Sequence, residues 1–145
     1  MHPNREPPRF DWARLVYDID SAATVLVSNE PDPDVARVSV WVYDLQADTW
    51  TEKGGAPTDT VVSLGYDPVD RLVVYTASAG GPETWLFDVR TGTWSRSSAQ
   101  TPGVVAGLGP PRIEYDEAAK RTVIMSNAAA AAHDASANRW EMLVA

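Results

Sequence analysis

The chain has 145 residues, 44% of them hydrophobic, with 20 acidic against 12 basic side chains and a net charge of −8. That is the size of one ordinary domain with apolar residues enough for a core, which excludes global disorder. Lysine and arginine form no patch, so the field of the chain repels phosphate backbones and anionic headgroups, and neither nucleic acid nor a membrane surface is expected as a partner.

No apolar run approaches the ~20 residues of a membrane span. The opening "MHPNREPPRFDW" does not read as a secretory signal, so with Met1 as the native start the expected location is the cytoplasm. Without cysteine there is no disulfide and no thiol chemistry. Sequences of the CxxC, HExxH, Walker-loop and GxSxG types are missing, and His2 and His133 alone leave little for metal binding or acid–base work. No cofactor and no metal are expected.

Taken in order, the chain opens its first repeat with "ARLVYD", ending at Asp18, then a polar turn and "TVLVSN" (24–29). Two β-rich runs joined by a few turn formers predict a hairpin. After the loop "NEPDPDVAR" (29–37) comes "SVWVYDL", with Asp44, then the turn "QADT" and "TWTEK". The second repeat runs "VSLGYD" to Asp67, "RLVVYTAS", "SAGGPE", "TWLFDV" with Asp88, "RTGT" and "TWSRS". The third runs "PRIEYD" to Asp116, "TVIMSN", "NAAAAA", Asp134 and "RWEML". Tyr-Asp thus recurs every 49 residues, and Asp44, Asp88 and Asp134 each stand six before Trp50, Trp94 and Trp140. Each repeat predicts a four-stranded antiparallel unit, over approximately 10–55, 60–100 and 108–144. The third is degenerate: Ala131 stands where Trp41 and Trp85 stand, and His133 replaces the aromatic at Tyr43 and Phe87.

Strand parity sends the long loops to one end of the units and the short turns to the other. Loops on a rigid scaffold usually carry function, so the long-loop end is the expected binding face. Its candidate residues are Glu30, Asp32, Asp34 and Arg37. The three carboxylates alternate, but the loop lacks the glycine and distal glutamate of an EF-hand, and its prolines stiffen an exposed acidic segment suited to peptide or protein contact. The repeated aspartates read as acceptors for the N–H groups of the turns that follow them. The tryptophans, Trp50 and Trp94 equivalently, read as packing between units rather than as platforms for sugar rings. His133 and Asp134 are neighbours on a strand and point to opposite faces, which argues against a catalytic dyad.

"YDPVDRLVVY" with "TWLFDVRTGTW", and "YDIDSAATVLV" with "VWVYDLQADTW", resemble the kelch-repeat β-propellers, including the propeller domain of the galactose oxidase-like group. The resemblance covers about 10–140. It implies a radial array of four-stranded blades, with the paired tryptophans and the Tyr-Asp residues in blade packing. The sequence departs from that family where its second strands end, reading "SN", "AS" and "SN" in place of a Gly-Gly pair. The copper-radical oxidation of the galactose oxidase-like group needs a cysteine cross-linked to a tyrosine, which this chain cannot supply.

Propellers typically close with four to eight blades. Three repeats are therefore expected to belong to a longer gene product, to pair as two chains in a six-bladed ring, or to close in threes as a β-trefoil. The fold expected is all-β, a partial or half propeller, with the trefoil as alternative. The function expected is non-catalytic: a kelch-type module binding a protein, itself or another, or a ligand through its long-loop face. The alternative is a carbohydrate-active or lectin-like protein whose site is completed by another subunit or by a missing part of the chain. The first predicts no polar pocket with convergent carboxylates; the second requires one.

Overall fold

The computed structural model describes residues 6–10, 12–29, 38–58, 61–77, 83–103, 111–127, 129–134 and 137–144. Twelve strands form in chain order: β1 (Ala13–Asp18), β2 (Ala23–Asn29), β3 (Val38–Asp44), β4 (Thr49–Gly55), β5 (Val61–Asp67), β6 (Leu72–Ala77), β7 (Glu83–Asp88), β8 (Thr93–Arg96), β9 (Arg112–Asp116), β10 (Arg121–Met125), β11 (Ala130–Asp134) and β12 (Arg139–Val144). They make three separate antiparallel sheets, each an up-and-down meander of four consecutive strands. No strand pairs through its backbone with a strand of another repeat among the described residues, so the three do not close into a common sheet and the trefoil alternative falls.

Every hairpin turn at the short-turn end is built alike. Its leading aspartate turns Oδ1 back to accept backbone N–H groups: from Asp20 and Ser21 at Asp18, from Gln46 and Ala47 at Asp44, and from Val69 and Asp70 at Asp67. Asp88 accepts from Arg90 and Thr91, Asp116 from Ala118 and Ala119, and Asp134 from Ala137. Four residues after each aspartate the chain passes through positive φ, at Ala22, Asp48, Arg71, Gly92, Lys120 and Asn138. The carboxylate satisfies donors that the tight turn leaves without a ladder partner.

Alternation along the strands then decides which blade each side chain meets. Val25, Val27, Val40 and Val42 of the first blade pack against Leu64, Tyr66, Val73, Tyr75 and Phe87 of the second in one buried cluster. The intervening β6 residue, Val74, faces the other way, into a second cluster with Ile113, Ile124 and Ala131 of the third blade. The middle blade is thus buried on both faces. Its first strand, β5, lies beside both β1 and β9, so the three first strands line the inside of the array. At the closer of these approaches only glycine fits: a Cβ on Gly65 would lie 2.1 Å from Cγ2 of Ile113.

Trp94 sits in the first cluster, 4.7 Å from Phe87 and 5.2 Å from Tyr75 between ring centroids. Trp140 packs against the second cluster, and its Nε1 donates to Thr84 Oγ1 at 2.9 Å. Trp50 differs from both. Its ring partner is Tyr43 of its own sheet, at 4.9 Å, on the face turned away from the second blade. Repeat equivalence fixes where these rings stand, but packing also needs a preceding blade, and none stands before the first among the described residues.

Gly65→Ala is expected to destabilise the fold by about 1–3 kcal/mol in urea denaturation, the usual cost of overpacking. Trp94→Ala should cost roughly 3–5 kcal/mol and Trp50→Ala distinctly less, measured the same way.

Candidate functional site

Glu30, Asp32, Asp34 and Arg37 lie outside the described residues, so the expected loop site is not placed by the structure. Two other features are. The first is a groove of about 400 Å³ along the inside of the array, lined by Leu15 and Tyr17, Leu64 and Tyr66, and Ile113 and Tyr115 from the three first strands. These pairs are equivalent by repeat but not by environment. Leu64 and Tyr66 are 7% and 8% exposed, whereas Leu15 and Tyr17 are 62% and 50% exposed. Tyr66 reaches back to the preceding blade and donates its hydroxyl to Asp20 Oδ2 at 2.6 Å. Burial, then that bond, holds the Tyr66 phenol well above the ordinary tyrosine range. In the next blade Val69 stands where Asp20 stood, and the buried Tyr115 hydroxyl has no partner.

The second feature is a cavity of about 250 Å³ between the second and third blades, bordered by Asp67, Asp70, Arg96, Ser97, His133 and Asn138 over an apolar wall that includes Val74 and Leu86. Asp67 is buried and engaged, with Thr122 Oγ1 donating to its Oδ2 at 2.8 Å from the facing blade. His133 is 2% exposed, and neither ring nitrogen has a hydrogen-bond partner. Its ring lies 4.9 Å from that of Trp140. Burial pushes the imidazole pKa down, against the pull of Asp67, Asp70 and Asp134, so His133 is neutral at neutral pH. Burial likewise raises the Asp70 carboxyl, helped by the charge on Asp67. A smaller cavity of about 170 Å³ adjoins the same His133, Asp67 and Asp70. Among the described residues no group of three or more His, Cys, Asp and Glu is arranged to hold a metal.

At the equivalent interface between the first and second blades an apolar cluster takes the place of these polar side chains. There Phe87 occupies the position of His133, and Val73 that of Thr122. The polar cavity therefore coincides with the repeat that reads in sequence as degenerate. His133 in the aromatic position was the visible signal; what it faces depends on the preceding blade, on residues from Asp67 to Ser97, which the pattern of one strand does not show.

No family model and no curated protein matches the chain. Solved structures do. An auxiliary nutrient binding protein from Bacteroides ovatus ATCC 8483 superposes on 97% of the chain with a TM-score of 0.68 at 9% identity. One from Bacteroides thetaiotaomicron VPI-5482 covers 92% of it at 0.64 and 10% identity, and TolB from Acinetobacter baumannii covers 90% at 0.59 and 16% identity. The fold is β-propeller-like. The chain spans about a third of the length of each of these proteins, at 31–33%.

The burial of His133 sets a sign for pH dependence. As pH falls through its ordinary value of 6.5, the unfolded chain takes up a proton that the folded chain refuses, so stability falls. Between about pH 7.5 and pH 5 the wild type is expected to lose more stability than His133→Phe, by urea denaturation at each pH.

Proposed function

We propose that this chain is a non-catalytic propeller module of the kelch type that binds a protein partner, and that its own ring is completed by a second copy. The observation that carries the reading is the exposure of Leu15 and Tyr17 on β1. The same two positions in the second blade are buried by the blade before it, and no such neighbour stands before the first blade among the described residues. Exposed apolar side chains grouped at the end of a repeat array mark an unfilled contact. The opening is local, because Leu26 and Trp41 on the same face are buried.

A kelch-type assignment draws support from Trp94 and Trp140, which take the inter-blade places that the Tyr-Asp…Trp phrase implies. Partner contact is assigned to the long-loop end, with Glu30, Asp32, Asp34 and Arg37 as its proposed residues. Two of the similar structures are nutrient-binding proteins by name, which agrees with binding rather than catalysis. A lectin-like reading is favoured by one observation, the polar inter-blade cavity. Asp67 there already accepts two N–H groups and a hydroxyl, which suits the cavity to holding a ligand and not to the two-carboxylate chemistry of glycoside cleavage.

Light scattering across a tenfold dilution is expected to give the mass of a dimer. Leu15→Ser with Tyr17→Ser should return a folded monomer, since both side chains are exposed. A wild-type monomer throughout the dilution overturns completion by a second copy.

A further inference from the structure

The cavity between the second and third blades holds a buried histidine without hydrogen-bond partners beside two carboxylates. His133 is buried with both nitrogens unpartnered, an unfavourable condition unless something in the cavity satisfies them. At neutral pH its neutral ring offers one acceptor and one donor. Asp67 and Asp70 border the same space.

The cations nearby are already engaged. Arg96, which itself borders the cavity, is bound to Glu83 at 2.6 Å, so its charge is offset there, while Arg121 is bound to Glu141 at 2.9 Å and Lys120 to Glu117 at 3.0 Å. Asp70 has no basic partner among the described residues. The local excess is therefore negative, in a space walled on one side by Leu72, Val74 and Leu86. Such a space favours a ligand with a cationic donor at one end and a short hydrocarbon body at the other. At about 250 Å³ it is smaller than the pockets that take drug-sized molecules, which limits the ligand to roughly ten heavy atoms.

We propose that this inter-blade cavity binds a small organic amine, with the ammonium received by Asp70 and His133 and the hydrocarbon body laid on Leu72, Val74 and Leu86. The site is built by the third repeat's departures from the first two: with phenylalanine at the His133 position, as at Phe87, the acceptor is gone and the ring packs as in the first interface. It uses neither the long-loop end nor the β1 edge, and so stands apart from the partner-binding reading.

The test uses benzylammonium as probe, with benzyl alcohol and benzoate as neutral and anionic matches, titrated into the full chain at neutral pH by calorimetry and NMR. Saturable binding of the amine in the millimolar range or tighter is expected, with both matches at least about tenfold weaker, the change one lost charge-assisted hydrogen bond produces. Asp70→Asn should remove most of the preference for amine over alcohol. His133→Phe should abolish binding while raising the denaturation midpoint, so that loss of the site is distinguished from loss of the fold. Equal binding of amine and alcohol, persistence of amine binding in His133→Phe, or no saturation at about 10 mM, some tenfold above a millimolar Kd, would each overturn the proposal.

Discussion

The array depends on the backward reach of each blade into the one before it. The first strand brings a Leu-Tyr or Ile-Tyr pair, the third and fourth bring an aromatic or histidine beside a tryptophan, and both sets face the preceding sheet. In the second blade the reach is complete: Leu64, Tyr66, Phe87 and Trp94 meet the valines of the first, and the Tyr66 hydroxyl closes on Asp20. An apolar cluster supplies most of the driving force, being non-directional. The Tyr66–Asp20 bond supplies what the apolar contact lacks, a fixed distance between one blade's first strand and the neighbouring blade's turn.

Because the reach is one-way, the two ends of the array are chemically different. The leading blade presents Leu15 and Tyr17 with nothing to receive them. The far blade presents strands on which Arg121 pairs with Glu141 beside the exposed Met125. The interface between the second and third blades shows that the reach tolerates chemical change. The third blade repeats it with Ile113, Tyr115, His133 and Trp140, exchanging an apolar contact for a cavity edged by carboxylates.

Much of this was legible in the sequence for a physical reason. Period-two alternation, the turn residues and the recurring Asp and Trp positions are local properties, and they specify twelve strands, three units and six aspartate-anchored turns. What failed to show was pairwise. Trp50 and Trp94 are equivalent letters in equivalent phrases, yet among the described residues Trp94 has a blade in front of it and Trp50 does not. Gly65 looks like a weak point in a strand; the structure makes it the place where Ile113 comes too near for any side chain. His133 looked like decay because its meaning lies in Asp67 and Thr122, each on a different strand. The loop residues Glu30, Asp32, Asp34 and Arg37 carry a compositional signal only.

The six turns carry one more consequence. Each closes on a left-handed residue, and only Gly92 is of the type that adopts this conformation without a Cβ penalty. Asn138 and Asp48 tolerate it fairly well, while Ala22, Arg71 and Lys120 hold it at a cost of order 1 kcal/mol or more each. That strain sits in the turns, where Arg71 also pairs with Asp20 of the first blade at 3.7 Å and Lys120 borders the smaller cavity beside His133. The short-turn end is thus a store of unused stability, most simply at Ala22, where glycine would relieve the strain without removing an ion pair or a cavity wall.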